Sequence, residues 1–263
     1  MIRPLRLAFE KIVGSRLVAV AEAAASRVSL GTPELDARLQ GGLQTNALHE
    51  FYAAGPDDAA AAAGFALMVA ICAAGERRSV VWIREDRGAR QAGGLYGTGL
   101  AELGFDPDTL ILVQTADTRA LLRAAADTVK CAQVGAVVVE PWGKAPLLDL
   151  TASRRLSMAA AASGVFTLML RIEAVPVPSA AQTRWQVAAA PSTALAANAP
   201  GHPAFDITLL RHRGGVAGFE ARLEWNRDQA SFAPLSGGTS AAAVVGTGAT
   251  RASPATSTAR RAA

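Results

Sequence analysis

A glycine-led segment between an apolar run and an alanine-rich stretch has the frame of a phosphate-binding loop. Residues 55–62 read Gly-Pro-Asp-Asp-Ala-Ala-Ala-Ala, where such a loop has the pattern G-x-x-x-x-G-K-[ST]. Gly55 occupies the first glycine position, whereas Ala60, Ala61 and Ala62 stand at the positions of the second glycine, the lysine and the hydroxyl. Each lost charge-assisted hydrogen bond is worth roughly 1.5–3 kcal/mol. The segment therefore lacks the groups that bind phosphate and Mg²⁺.

The remaining residues of this segment are also ordinary signals for the start of a helix. Pro56 suits the first helical position, and the carboxylates of Asp57 and Asp58 interact favourably with a helix N-terminus. The same carboxylates repel phosphate. These eight residues alone leave two interpretations open: an emptied nucleotide site, or a turn followed by a helix.

Few other residues carry a pattern that predicts chemistry. Glu85 follows one apolar strand and Glu140 ends another, so both are residual acidic positions where a water-activating or metal-binding carboxylate could stand. Glu85 and Asp86 could serve together as a pair of general bases, but without a bound nucleotide we interpret both as polar residues at a sheet edge. The three histidines and two cysteines show no metal-ligand spacing. The sequence predicts no catalytic residue, no metal site and no cofactor.

Strands alternate with helices through most of the chain, which predicts an α/β fold with a mostly parallel sheet flanked by helices. The predicted strands are 47–53, 79–84, 109–115, 134–140 and 165–172, and the predicted helices are 59–74, 118–132 and 147–163. Three further strands, 183–189, 205–213 and 219–226, have no helices between them. The glycine turn between the last two predicts an antiparallel hairpin at the C-terminal end of the sheet.

The ends of the chain differ in composition from its body. Residues 1–28 contain a basic amphipathic pattern that predicts a helix over 4–25, residues 29–235 form the predicted domain, and residues 236–263 have the composition of a disordered basic tail. The two ends, 1–27 and 236–263, each carry a net charge of +3, which leaves −2 for residues 28–235 of a chain whose total is +4. We therefore expect no basic face on the domain, and only weak or indirect contact with DNA.

An uncharged stretch over 59–75 is marginal in length for a membrane span and rich in alanine, which favours a buried helix. No secretory signal is recognised at the N-terminus, and the cysteine content fits a reducing compartment. The expectation is a cytoplasmic protein without a membrane segment.

Residues around the emptied loop resemble the RecA-like recombinase superfamily. The superfamily pattern G-x-x-x-L-D-x-x-L-x-G-G-L, followed by a strand with a final acidic residue, is matched here by Gly31, Leu35, Asp36, Leu39, Gly41, Gly42, Leu43 and Glu50. The resemblance implies that Glu85 stands where these ATPases place the water-activating glutamate, and that Glu140 replaces a metal-binding aspartate. It implies a RecA-like core over residues 29 to about 190 without a functional phosphate loop.

Within that superfamily the chain is similar to the ImuA family, a branch that lacks the phosphate loop and is grouped with the cell-division inhibitor SulA. The segments that carry this resemblance are LYGTGLAELGFDPDTLILV, TRWQVAAAPS and GFEARLEWNRDQASF. Together with the superfamily pattern they extend the similarity to residues 29–233.

Membership of that family implies a non-catalytic accessory protein of mutagenesis in the SOS response to DNA damage. Its implied partners are an ImuB-like inactive Y-family polymerase homologue and, indirectly, an error-prone polymerase α subunit; RecA or a second copy of the chain are further candidates. Two alternatives stay open: a SulA-like cell-division inhibitor, and a divergent RecA-like ATPase that takes its lysine from elsewhere.

Three residues are candidates for an interface. Trp142 follows a parallel strand at its carboxyl end, where α/β sheets carry their sites, so it is a candidate exposed aromatic anchor. Arg211 and Arg213 flank the tip of the predicted hairpin, where they either contact phosphate or form a solvated turn.

Overall fold

The computed structural model describes residues 27–75 and 79–235 of the 263-residue chain. The predicted N-terminal helix over 4–25 and the predicted tail over 236–263 lie outside the described residues. Arg27 and Val28 form the first strand, β1, which pairs antiparallel with β2 (Leu43–Gln44).

A nine-stranded sheet forms the centre of the molecule and confirms the predicted α/β class. Its strands, in chain order, are β3 (Leu48–Ala53), β4 (Val80–Glu85), β5 (Leu110–Thr115), β6 (Ala136–Glu140), β7 (Phe166–Arg171), β8 (Thr183–Ala189), β9 (Ala204–His212), β10 (Phe219–Asn226) and β11 (Ser231–Pro234). Across the sheet their order is β11-β10-β9-β8-β3-β7-β6-β4-β5. The six strands from β8 to β5 are parallel, and β9, β10 and β11 continue the sheet antiparallel, as predicted for the C-terminal end.

Helices cover both faces of this sheet. The six described α-helices are α1 (Pro33–Arg38), α2 (Ala59–Ala74), α3 (Asp86–Ala92), α4 (Gly97–Glu102), α5 (Thr118–Val129) and α6 (Leu150–Ser163), with single 3₁₀ turns at Pro56–Asp58, Pro107–Thr109 and Ala196–Asn198. One buried cluster joins α2 to one face, and a second joins α5 and α6 to the other. The core therefore has two layers, as buried parallel strands require.

The helix α2 is apolar because it is buried against the sheet. The segment Pro56–Ala74 is long and apolar enough to be considered a membrane span by length and composition. Phe65 and the five residues that follow it are instead buried in the core, with Phe65 edge-on to Phe51 at 5.3 Å. α2 is a core helix of the α/β fold.

Aspartate side chains cap the N-termini of α5 and α6, the helices on the opposite face of the sheet. The Asp117 carboxylate accepts a hydrogen bond from the Ala120 amide at 2.8 Å, and Asp149 accepts one from Ala152 at 2.7 Å. α6 therefore begins three residues later than the sequence predicts. At its other end Gly164 adopts a left-handed conformation, with φ of 74°.

The glycine-rich pattern before β3 folds the chain back on itself. Gly42 has φ of 115°, and a Cβ there would collide with the carbonyl oxygen of Val28. The Asp36 carboxylate accepts a hydrogen bond from the Leu30 amide at 3.0 Å, and Leu35 is buried. The pattern that carries the superfamily resemblance therefore has a structural role here.

Candidate functional site

The segment at the phosphate-loop position forms a turn and a helix rather than a loop. The backbone of Gly55 is extended, with φ of −147°, Pro56–Asp58 make a 3₁₀ turn, and Ala59 begins α2. This backbone is the turn followed by a helix that the sequence leaves open as one of its two interpretations. Proline at the first position and a run of alanines favour helix, and no side chain holds the segment open.

Gly55 itself is not required by the conformation of the turn. A Cβ at this position would meet only the Asp58 Oδ2 atom, at the ordinary contact distance of 3.5 Å. The glycine matches the superfamily pattern, but the local backbone would accept another residue.

The three alanines at the positions of the second glycine, the lysine and the hydroxyl point in different directions around α2. Ala60 is exposed, Ala61 is half-buried, and Ala62 is fully buried in the core. The segment therefore lacks the groups of a phosphate site.

The Asp58 side chain joins the turn to the end of β8. Its Oδ1 atom accepts a hydrogen bond from the Ala189 amide at the end of β8, at 2.8 Å. The Ala54 amide donates to the Val187 carbonyl of the same strand at 2.9 Å. The turn is thus fastened to β8, while the Asp57 side chain is exposed.

Glu140, at the position of a metal-binding carboxylate, is occupied by neighbouring side chains. Its Oε2 atom accepts a hydrogen bond from the Trp82 indole at 2.7 Å, and its Oε1 atom forms an ion pair with Arg84 at 3.2 Å. Burial raises the pKa of the Glu140 carboxyl, and the Arg84 charge opposes that rise. Both oxygens are engaged within the protein, so a metal ion would have to displace these partners.

Glu85 is likewise held by the fold. It is almost fully buried at the end of β4, and its Oε1 atom accepts a hydrogen bond from the Thr118 hydroxyl at 2.7 Å. The bond joins β4 to the first turn of α5. Glu85 and Glu140 thus end adjacent strands but are tied to different neighbours.

Trp142 is not an exposed anchor. Only 7% of its surface is exposed, because α3 packs over it: a Cβ at Gly88 would lie 2.9 Å from the Trp142 ring. The sequence placed Trp142 correctly at the carboxyl end of β6, but it gave no signal for α3, which covers the ring. The interface prediction for Trp142 is therefore wrong.

Arg211 and Arg213 lie at the end of β9 and contact the segment before β8. Arg211 donates to the Ser179 carbonyl at 3.1 Å, and Arg213 donates to the Ala180 carbonyl at 3.3 Å. Arg213 is exposed, and Arg211 is half-buried. Both guanidinium groups are used at least in part to hold this segment.

Sequence reasoning missed a buried polar cluster on the α6 side of the sheet. Arg184 on β8 forms an ion pair with Glu50 on β3 at 2.8 Å, and Arg171 on β7 is only 2% exposed. Both guanidinium carbons lie 5.7 Å from the Tyr52 ring centroid. The available signal was a single arginine inside each of two apolar strands.

A large cavity of the described residues lies away from the phosphate-loop segment. It has a volume of about 460 Å³ and lies between α1 and the turn that joins β9 to β10, lined by Ala37, Arg38, Gln40, Gly214, Gly215, Val216 and Phe219. Residues 55–62 contribute nothing to it.

Comparison with known proteins identifies relatives by sequence and by fold. No protein-family model matches the chain. Protein ImuA of Caulobacter vibrioides strain NA1000 / CB15N is 34% identical over 206 residues, covering 73% of this chain and 80% of that protein. Protein ImuA of a second strain of the same species gives the same figures.

Among solved structures, the chain is similar to the RadB recombinase. The TM-score is 0.51 at 16% identity, and the similarity covers 76% of this chain and 96% of the recombinase. At this level of identity the likeness shows the fold alone, which is RecA-like.

Proposed function

The chain belongs to the ImuA family, and from this premise we propose that it is a non-catalytic RecA-like scaffold in an error-prone translesion synthesis complex. The proposed partner is an ImuB-like inactive Y-family polymerase homologue, which connects the chain to an error-prone polymerase α subunit. The proposed setting is the cytoplasm of a cell whose SOS response has been induced by DNA damage.

The residues at the phosphate and metal positions carry the non-catalytic part of the proposal. The positions that would bind phosphate are Ala60, Ala61 and Ala62 of α2, and Ala62 is buried. At the metal-binding position, Glu140 is bonded to Trp82 and Arg84 instead. Phosphoryl transfer depends on positioned charges and a metal ion, and this arrangement favours a structural use of the same positions.

The rest of the fold supports a role as a rigid platform. The RecA-like sheet is continuous over nine strands, and its two faces are covered by packed helices. Such a body offers fixed surfaces to partner proteins.

Nucleotide binding and partner capture test the proposal together. Purified chain, full-length and shortened to residues 1–235, is titrated with ATP and Mg²⁺ by calorimetry and used to capture a purified ImuB-like protein with and without ATP. We expect no measurable ATP affinity and equal capture by both forms. Micromolar ATP binding with Mg²⁺-dependent turnover would contradict the non-catalytic assignment and favour a divergent ATPase.

The same capture separates the scaffold from a SulA-like inhibitor. A scaffold binds the ImuB-like protein, and its overproduction leaves cell division unchanged. Filamentous growth on overproduction in cells that lack the ImuB-like protein would instead favour the inhibitor.

A further inference from the structure

Five exposed apolar side chains lie just before α6, on α6 itself and on the segment after β7. They are Leu147 at 47% exposure, Leu150 at 46%, Met158 at 66%, Val175 at 75% and Val177 at 38%. We call these five residues the α6 surface. Single exposed apolar residues are normal, but groups of them are a feature of protein contact sites.

The two chain segments that form the α6 surface lie against each other. The Ala180 amide donates to the Ser153 hydroxyl of α6 at 3.1 Å. Arg171, at the end of β7, donates to the carbonyl oxygens of Gly143 and Lys144 at 3.2 and 3.3 Å. The segment before α6 and the segment after β7 are therefore joined at their bases.

Buried arginines hold this surface from beneath. Arg184 donates to the Val177 carbonyl and, at 2.9 Å, to the Ser179 hydroxyl, while its Nε atom contacts Glu50. Arg171 forms no ion pair with any residue that the structure describes. Burying a guanidinium group is costly, and here Arg184 bonds to the segment after β7 while Arg171 bonds to the segment before α6. The surface is thus preorganised, which lowers the entropy lost on binding.

The rim of the α6 surface is basic. Arg154 and Arg155 are exposed on α6, and Arg119 and Arg123 are exposed on α5, which packs beside it. Within residues 27–75 and 79–235 none of the four forms an ion pair.

The acidic groups near this rim are mostly engaged. Asp117 and Asp149 cap helices, and Asp127 pairs with Lys130 at 3.3 Å. Glu173 is the exposed acid on the segment after β7. The four arginines outnumber the three exposed carboxylates Asp117, Asp149 and Glu173, so the surplus charge on these elements is positive.

We propose that the α6 surface docks an acidic amphipathic helix of the ImuB-like partner; this rests on the function proposed above. The apolar face of such a helix covers Leu150 and Val175, and its carboxylates meet Arg154 and Arg155. Nucleic acid would satisfy the arginines but would leave the apolar side chains in water, so a protein helix fits both features.

Aspartate substitutions on the α6 surface test the site. Leu150 is the first residue of α6, where aspartate is compatible with the helix, and Val175 lies outside any helix or strand. With the full chain and the purified ImuB-like protein, we expect Leu150→Asp and Val175→Asp each to weaken the dissociation constant by about tenfold or more. Val216→Asp, which changes a 72% exposed valine in the β9–β10 turn, is the matched control and should bind as the wild type does.

Charge reversal and crosslinking test the chemistry of the occupant. The double variant Arg154→Glu, Arg155→Glu should slow association by about tenfold and flatten its dependence on salt. A photoreactive residue at position 158 should crosslink to a segment of the partner with net negative charge and apolar residues at helical spacing.

The outcomes separate this inference from the proposed function. If both aspartate variants bind the partner as tightly as the wild type does, or if the crosslink lies on a basic segment, the inference is overturned and the scaffold proposal stands. Failure of the wild-type chain to bind the ImuB-like protein overturns both. Thermal unfolding of each variant shows whether a loss of binding comes from a loss of folding.

Discussion

Ala62 shows how a nucleotide-loop position becomes part of the core. It occupies the position of the loop hydroxyl, yet it is fully buried between α2 and the sheet. Restoring the hydroxyl therefore adds atoms to a packed interior and does not place an oxygen near a ligand.

We predict that Ala62→Thr lowers the free energy of unfolding by about 1–3 kcal/mol, because extra atoms overpack the core. Ala60→Thr is the matched control, since Ala60 lies on the exposed side of the same helix. This variant should lose only a few tenths of a kcal/mol of unfolding free energy, because threonine has a lower helix propensity than alanine. Urea unfolding measures both. Equal stability of the two variants, or ATP binding gained by Ala62→Thr, would show that position 62 faces an open site.

His49 is a buried neutral base at the centre of the sheet. Its Nε2 atom lies 2.9 Å from the Gln44 carbonyl oxygen and must carry the proton, so Nδ1, at 2.7 Å, accepts from the Thr183 hydroxyl. Burial lowers the pKa of His49 from 6.5 to about 4, with a smaller contribution from His212. Protonation would place a charge where no carboxylate balances it.

The pH dependence of stability follows from that pKa. The unfolded chain binds the proton below a pKa of about 6.5, while the folded chain resists it down to about 4. The free energy of unfolding is therefore at its full value above pH 6.5. It falls by on the order of 3 kcal/mol as the pH decreases from 6.5 to about 4. Urea unfolding at pH 7 and pH 4.5 should show a smaller difference in His49→Gln than in the wild type, whereas the half-buried control His202→Gln should keep the wild-type difference. Identical pH dependence in all three proteins would rule out His49 as the source.

At the scale of elements, periodicity located the long strands and helices but not the short helices. α2, β8 and β10 begin and end where the sequence places them, because the spacing of their apolar residues gives a strong local signal. α3 and α4 lie in a glycine-rich stretch with no helical period, and β11 is four residues long. Such pieces are stabilised by tertiary contacts, so their local sequence does not predict them.

α3 depends on one small residue that faces the core. Gly88 is its buried position, and a Cβ there would approach the Trp142 ring at 2.9 Å. We predict that Gly88→Ala destabilises the protein by about 1–3 kcal/mol, because the ring is enclosed and cannot move away freely.

Gly94→Ala is the control for Gly88→Ala, since a Cβ at Gly94 meets no atom within 4 Å. Limited proteolysis between α3 and α4, together with urea unfolding, checks the result. A Gly88→Ala protein as stable and as resistant as Gly94→Ala would show that α3 does not pack tightly on Trp142.

At the scale of the whole molecule, the two edges of the sheet differ. β11 is short and ends at Pro234, which limits pairing with another strand, whereas β5 has six residues and no charge. Ile111 and Leu112 on β5 are 53% and 41% exposed. The family resemblance makes a second copy of the chain a candidate partner. Self-association of this kind would therefore begin at the β5 edge.

We predict that Leu112→Lys reduces concentration-dependent association, because a lysine on an edge strand opposes pairing. Leu210→Lys is the control: Leu210 has a similar exposure of 39% but lies on β9, which has strands on both sides. Light scattering coupled to size-exclusion chromatography measures the mass of each protein over a range of concentrations. Association that is equally strong in both variants would exclude the β5 edge.

The charge of the domain is a further property of the whole molecule. Summed along the chain, residues 28–235 are nearly neutral, and the sequence predicts no basic face. The fold nevertheless brings Arg119 and Arg123 of α5 beside Arg154 and Arg155 of α6 on one side of the sheet. A sum over sequence cannot show this, because it does not say which charges share a surface.

The linear chain specified its α/β class, its long elements and its family, because periodicity and glycine patterns act locally and survive in sequence. It also specified that Ala60, Ala61 and Ala62 lack the groups of a phosphate site. Folding decided how those positions are used: helix in place of loop, Trp142 under α3, Glu140 against Trp82, and arginines gathered beside exposed apolar residues. These outcomes depend on contacts between residues far apart in sequence, which local patterns do not encode.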